Sequence, residues 1–177
     1  MNRLFLTAQL FMVLAVLAYP VALTAKTETS FKLYDLDDHL VTLQQVIQDP
    51  NAKMLVVDFF SMSCAPCKRA MPRLSDLQKM YHKDGLRVVV VAIPASGDRT
   101  EALEKIKDFF GPLSVSFPVA FDKYSLVAKQ YGVTNGTDAK LPQSFVIDKN
   151  GVVVSRFEEM DPLIKAIEAR FGKSATN

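Results

Sequence analysis

Tryptophan is absent from the 177 residues, and cysteine and histidine occur only twice each. Two cysteines are too few for a disulfide-stapled scaffold. One cysteine pair with His39 and His82, at spacings that match no common zinc pattern, does not close a structural zinc site. No run of Lys and Arg exceeds two residues, and 21 basic against 19 acidic side chains leave a formal charge of +2. A nucleic-acid surface held by phosphate neutralisation is therefore not expected. Internal repeats and low-complexity tracts are missing as well. What is present, 49% hydrophobic and 23% charged residues with 7 Gly and 9 Pro, is the composition of a packed chain, neither disordered nor collagen-like. The length suits one domain.

Charge is missing altogether from Leu4 to Ala25, after a start that bears Arg3. The stretch Leu4 to Ala18 has the length of a secretory h-region, Pro20 interrupts any helix, and Ala22-Leu23-Thr24-Ala25 offers a small residue for cleavage, expected after Ala25. Leu23 is larger than the residue usual at the third position from a cut, and the uncharged span is long enough to cross a bilayer if left uncut. Residues 1–25 are thus a signal peptide or a membrane anchor, and residues 26–177 form the domain. Both readings place that domain outside the cytoplasm, periplasmic or otherwise extracytoplasmic, with membrane contact only through a retained N-terminal segment.

From Phe31 onward strand-like and helix-like runs alternate, which indicates one α/β domain. Leu55 to Phe60 and Leu86 to Ile93 are near-continuous apolar runs rich in β-branched residues, the pattern of central strands buried on both faces. Between them the spacing predicts a helix from about Ala65 to Tyr81, with Met71, Leu74, Leu77 and Met80 on one face and Gly85 closing the turn. Asp98 with Glu101 marks a second helix, carrying Leu103, Ile106 and Phe110 and stopped by Gly111-Pro112. Pro118 to Phe121 is expected as a short strand and Tyr124 to Tyr131 as a helix ended by Gly132. Ser144 to Ile147 and Val152 to Phe157 flank Asp148-Lys149-Asn150-Gly151, a hairpin turn. Asp161-Pro162 starts a last helix with Leu163, Ile164, Ile167 and Phe171 inward and Gly172 at its end.

The chemistry concentrates at Ser61-Met62-Ser63-Cys64-Ala65-Pro66-Cys67-Lys68, where a buried strand runs into Cys-x-x-Cys at a helix start. Two intervening residues on a first helical turn bring the sulfurs within bonding reach. The unpaired N–H groups and partial positive charge of the helix start favour a thiolate at the first sulfur. Cys64 is then the nucleophile, and Cys67, one turn inward, resolves the mixed disulfide. An inert disulfide and half of a zinc site are the competing readings of the pair. Asp58 is a carboxylate inside an apolar strand, six residues before Cys64, on one face with Val56 and Phe60. Burial should raise its pKa into the range useful for accepting the Cys67 proton, although an Asp paired with a lysine or backbone N–H groups would serve structure alone. Lys68, Arg69 and Arg73 read as a solvated helix face.

At these residues the sequence resembles the thioredoxin superfamily, and more closely its exported TlpA/ResA-like thiol-disulfide oxidoreductases. Val57-Asp58-Phe59-Phe60 is similar to that family's active-site strand, Cys64-Ala65-Pro66-Cys67-Lys68 to its redox motif, and Pro72 to the proline that bends the following helix. Tyr131-Gly132-Val133 and Leu141-Pro142-Gln143-Ser144-Phe145-Val146-Ile147-Asp148 resemble its tyrosine-glycine-valine and cis-proline segments. The resemblance implies a mixed central β-sheet flanked by helices, with an N-terminal extension and a helical insertion between central strands. It implies that Pro142 is a cis-proline facing the cysteines and that Leu141 and Pro142 bind substrate, leaving a backbone edge free for a substrate strand. It also matches Asp58 to the buried acid of thioredoxins.

Two departures stand out. Ser63 occupies the position where the family usually has tryptophan, and Thr134 to Lys140 is a longer polar connection before Pro142 than the family pattern, expected to border the redox site. The expected function is an exported thiol-disulfide oxidoreductase, acting as a reductase because Ala65-Pro66 resembles the reducing end of the family, with cytochrome c maturation as a candidate setting. Protein thiols and disulfides and an upstream electron donor would be its partners, it would act as a monomer, and no cofactor or metal is required. The alternatives are a thioredoxin-like metal-binding or copper-delivery module and a peroxiredoxin-like peroxidase. The copper-delivery pattern has Cys-x-x-x-Cys and a later histidine, whereas here the spacing is two and no histidine follows His82. The peroxidase motif has proline and threonine before the cysteine, and Val56 to Ser63 contains neither.

Overall fold

The structure is a computed structural model that describes residues 30–95, 98–134 and 138–172. The proposed leader and its cleavage point lie outside the described residues. Among the described residues no helix is long and apolar enough to cross a membrane.

A five-stranded sheet of order β5-β4-β3-β6-β7 carries the fold. Its centre, β3 (Met54–Phe60), is buried at every position, as its apolar run predicts. It pairs in parallel with β4 (Leu86–Ala92) and antiparallel with β6 (Gln143–Ile147). The outer strands are β5 (Val119–Phe121), parallel to β4, and β7 (Val153–Phe157), antiparallel to β6 across the Asn150-Gly151 turn, where Gly151 has φ +75°. Alternation along β3 divides the core in two. Val56 and Phe60 face a cluster with Met71, Leu74, Ile106, Ile164 and Ile167, while Leu55, Val57 and Phe59 face Leu43, Val127, Ala128 and Tyr131. Each fully buried side chain of this size contributes on the order of 1.5–3 kcal/mol. The sheet is therefore held from both faces. The expected mixed sheet flanked by helices is observed.

The helix after β3, α2 (Ala65–Tyr81), buries Met71, Leu74, Leu77, Gln78 and Tyr81, with Pro72 inside it. Met80, expected on that face, is 63% exposed. Repeated steps of three lag behind the 3.6-residue turn, so nine residues after Met71 the helix has rotated to its opposite side. Gly85 closes the turn at φ +109°; a Cβ there would lie 2.5 Å from the Asn51 carbonyl oxygen, so glycine is required.

The N-terminal extension is β1 (Lys32–Tyr34) paired with β2 (Leu40–Thr42), followed by α1 (Leu43–Ile47). The Thr42 hydroxyl accepts from the Gln45 N–H and the Gln45 side chain accepts from the Thr42 N–H, a reciprocal cap. The insertion between β4 and β6 is more than a helix. It contains α3 (Arg99–Phe110), capped by Asp98 as its sequence indicates, then a 3-10 turn at Gly111–Leu113, β5 and α4 (Leu126–Gln130). Helix α4 starts two residues later than Tyr124 because buried Asp122 accepts the Leu126 and Ala128 N–H groups and Ser125 turns at φ +54°. The last helix, α5 (Met160–Phe171), begins one residue before Asp161, which sits with Pro162 in the first turn, where a missing N–H costs nothing.

Candidate active site

The end of β3 delivers the chain to the cysteines. Phe60 is the last strand residue, Cys64 is the N-cap of α2 in extended conformation, and Pro66 occupies the first helical turn, where its ring is pre-set for the helix. Cys64 and Cys67 form a disulfide. The Cys67 N–H donates to Cys64 Sγ at 3.2 Å, so the first sulfur receives an unpaired donor of the helix start. Cys64 keeps 7% of its surface exposed and Cys67 none. Cys67 Sγ lies 3.9 Å from the Phe59 carbonyl oxygen, over the backbone of β3.

The Leu141–Pro142 peptide bond is cis, as the resemblance implies. Two cavities meet at this segment. One, of about 430 Å³, is lined by Cys64, Ser61, Ser63, Thr134, Asp138 and Leu141 among others. The other, of about 420 Å³, is lined by Pro66, Arg69, Arg73, Pro142, Glu159 and Met160 among others. Leu141 thus borders the cavity beside Cys64 and Pro142 the one beside Pro66, and Thr134 and Asp138 of the polar connection border the Cys64 side. Ser63 is exposed at the rim. Of the basic group, Arg69 and Arg73 are exposed, and Arg73 pairs with Glu168 at 3.0 Å, in keeping with a solvated face.

Asp58 falls on the β3 face that carries Val56 and Phe60, the side packed by the cysteine helix, and it is fully buried. Burial pushes its pKa from 3.8 up to about 7, partly opposed by the Ser144 hydroxyl, which donates to Oδ1 at 2.5 Å. Its Oδ2 has no hydrogen-bond partner among the described residues. Among the described residues, the lysine or backbone partner of the purely structural alternative is not observed. Ser144 was not a sequence candidate. It is opposite Asp58 in the β3–β6 register, and the one signal for it was a hydroxyl inside an apolar strand.

His82 is the C-cap residue of α2, and its Nδ1 lies 2.9 Å from Gln78 Nε2 and 3.2 Å from an Arg87 nitrogen. Among the described residues the one grouping with metal-ligand geometry is Asp35, Asp37 and His39, on the β1–β2 turn, and it includes neither cysteine.

A model of the AhpC/TSA family matches residues 25–156, three-quarters of the chain. The chain belongs to the AhpC/TSA family. Within this thioredoxin-like family it is similar to two proteins named thiol-disulfide oxidoreductase ResA. The one from Geobacillus kaustophilus (strain HTA426) is 30% identical over 157 residues, covering 83% of this chain and 82% of that protein. The one from Geobacillus thermodenitrificans (strain NG80-2) is 31% identical over 159 residues with the same coverage. Among solved structures, a putative thiol:disulfide interchange protein DsbE from Chlorobium tepidum matches with a TM-score of 0.64 at 25% identity, covering 82% of this chain and 95% of that one. With the Cys64–Cys67 pair in place, this AhpC/TSA member is a thiol-disulfide oxidoreductase of the ResA/DsbE type.

Proposed function

We propose that the protein is an exported reductase of protein disulfides, with Cys64 as nucleophile, Cys67 as resolving thiol and Asp58 as the base that serves Cys67. The observation that carries this reading is the asymmetry of the pair: one sulfur at a cavity rim receiving a helix N–H, the other buried on the strand that holds Asp58. In the dithiol form, the Cys64 thiolate attacks a substrate disulfide, forming a mixed disulfide and releasing the first substrate sulfur as thiolate. The ionised Asp58 carboxylate takes the Cys67 proton, directly or through one water. The Cys67 thiolate then attacks Cys64 Sγ. The Cys64–Cys67 bond forms, the mixed disulfide breaks, and the second substrate sulfur leaves. Two electrons pass from the protein to the substrate, and an upstream dithiol donor restores the pair.

Leu141 and Pro142 bind the substrate segment beside the cysteines. Ala65-Pro66 between the cysteines favours the reducing direction, and oxidised thiols prepared for haem attachment in cytochrome c maturation are the substrate class we assign. Export rests on the uncharged Leu4–Ala25 segment. Equilibration of the domain with glutathione buffers tests the direction. The reading expects a potential well below the roughly −180 mV of protein disulfide isomerase; a value near or above it would make the protein an isomerase or oxidant.

A further inference from the structure

We propose that Ser144 is a positioning residue for the resolving step, holding Asp58 by one carboxylate oxygen so that the other, Oδ2, receives the Cys67 proton. The proposal rests on the role given to Asp58 above. Ser144 has no exposed surface, and its Oγ donates to Asp58 Oδ1 at 2.5 Å. The hydroxyl has one hydrogen. Its other neighbour is the Met160 sulfur at 3.8 Å, a weak acceptor that does not compete with a carboxylate. Oδ1 is therefore engaged and Oδ2 is buried with no partner. A proton arriving at Asp58 is thereby directed to Oδ2.

The surroundings leave the task to Ser144 alone. In the sheet Asp58 is flanked by Val90 of β4 and by Ser144 of β6. From the helices packed on this face, α2 brings Cys67 over the adjacent Phe59 carbonyl, and α5 brings Met160 against Ser144. Of these only Cys67 carries an ionisable group, and only in the dithiol form. Among the described residues, burial and the Ser144 hydrogen bond are the two influences on Asp58 protonation, and no charged neighbour contributes. A single neutral hydroxyl thus offsets part of the desolvation of the anion, and its removal leaves both oxygens buried without a donor.

Two isosteric variants isolate the hydroxyl: Ser144→Thr retains it and Ser144→Val replaces it by a methyl group. Asp58 titration is followed by the carboxyl carbon resonance in the oxidised protein. Resolution is followed by single-turnover reduction of a peptide disulfide by the dithiol form. The expected result is that Ser144→Val raises both midpoints by about one to two pH units relative to Ser144→Thr, as loss of a hydrogen bond to a charged group implies. Resolution at neutral pH then slows by about tenfold or more and recovers as pH rises. In an Asp58→Asn background the two variants should give superimposable pH profiles. Equal Asp58 midpoints in the Thr and Val variants, or a loss of rate that is the same at every pH, would overturn the proposal and leave the role of Asp58 standing. If Asp58→Asn alone leaves the resolution profile unchanged, the role of Asp58 fails, and the positioning role with it.

Discussion

Replacing Asp58 by asparagine should change the pH dependence of stability in a predictable direction. In the unfolded chain the carboxyl titrates near its ordinary value, about 3.9, whereas in the folded protein burial raises it to about 7. Below both values the group is neutral in both states and the folded protein bears no cost. As pH rises above about 4 the unfolded chain ionises freely while the native carboxyl stays protonated, so stability falls. The loss is complete once pH passes about 7. From 3.8 to about 7, at about 1.4 kcal/mol per pKa unit, the buried group should remove about 4 kcal/mol from native stability above neutral pH. That is a large share of the roughly 5–15 kcal/mol typical of a domain. Urea unfolding of the oxidised protein and of Asp58→Asn, at about pH 4 and about pH 8, measures it. The asparagine brings its own constant offset through a buried amide, so the informative quantity is the change in the stability difference between the two pH values. The other shifted carboxylates, Asp49 and Asp98 lowered and Asp122 raised, are present in both proteins and cancel. The variant should gain about 4 kcal/mol on the wild type between the two conditions. A difference that stays constant to within about 0.5 kcal/mol would refute the reasoning, because an Asp58 of ordinary acidity would already be ionised across most of that range.

Other positions give further tests. Gly85→Ala should cost about 2 kcal/mol or more in urea unfolding, since φ is +109° and the new Cβ meets the Asn51 carbonyl oxygen at 2.5 Å. Leu74→Ala, which empties a fully buried site under α2, should cost about 2–5 kcal/mol by the same measurement, whereas Met80→Ala, at an exposed site, should stay within about 0.5 kcal/mol. In the dithiol form at neutral pH, a limiting amount of iodoacetamide should modify Cys64 before Cys67, read by peptide mass spectrometry, because Cys64 alone keeps exposed surface and receives the helix N–H.

What the sequence displays well is whatever one element determines by itself. The apolar runs at Leu55 and Leu86 suffice for central strands, and Cys-x-x-Cys at a strand-to-helix junction suffices for the redox pair, because burial and helix-start geometry are local consequences of residue type. The extension, implied by the resemblance, also carries a local signal: Thr42 followed by Gln45 is a reciprocal-cap pattern, and it marks α1 in the structure. Met80 shows the limit of counting by threes on a helix with 3.6 residues per turn. The short strand at β5 is visible in the sequence, but its place at the sheet edge beside β4, like the partnership of Ser144 with Asp58, depends on register between segments distant in the chain. A sequence pattern shows which residues alternate, not which strand they will face.

The central claim is that Cys64 attacks and Cys67 resolves, and trapping measures it directly. Reduced Cys67→Ser and Cys64→Ser are each mixed with a protein disulfide, quenched with acid and analysed intact by mass spectrometry, with the linked cysteine located by proteolysis. The account predicts that Cys67→Ser accumulates a mixed disulfide through Cys64, that Cys64→Ser accumulates little, and that the wild type passes to the Cys64–Cys67 disulfide with release of reduced substrate. Equal trapping by both variants, or a mixed disulfide that forms preferentially on Cys67, would contradict it.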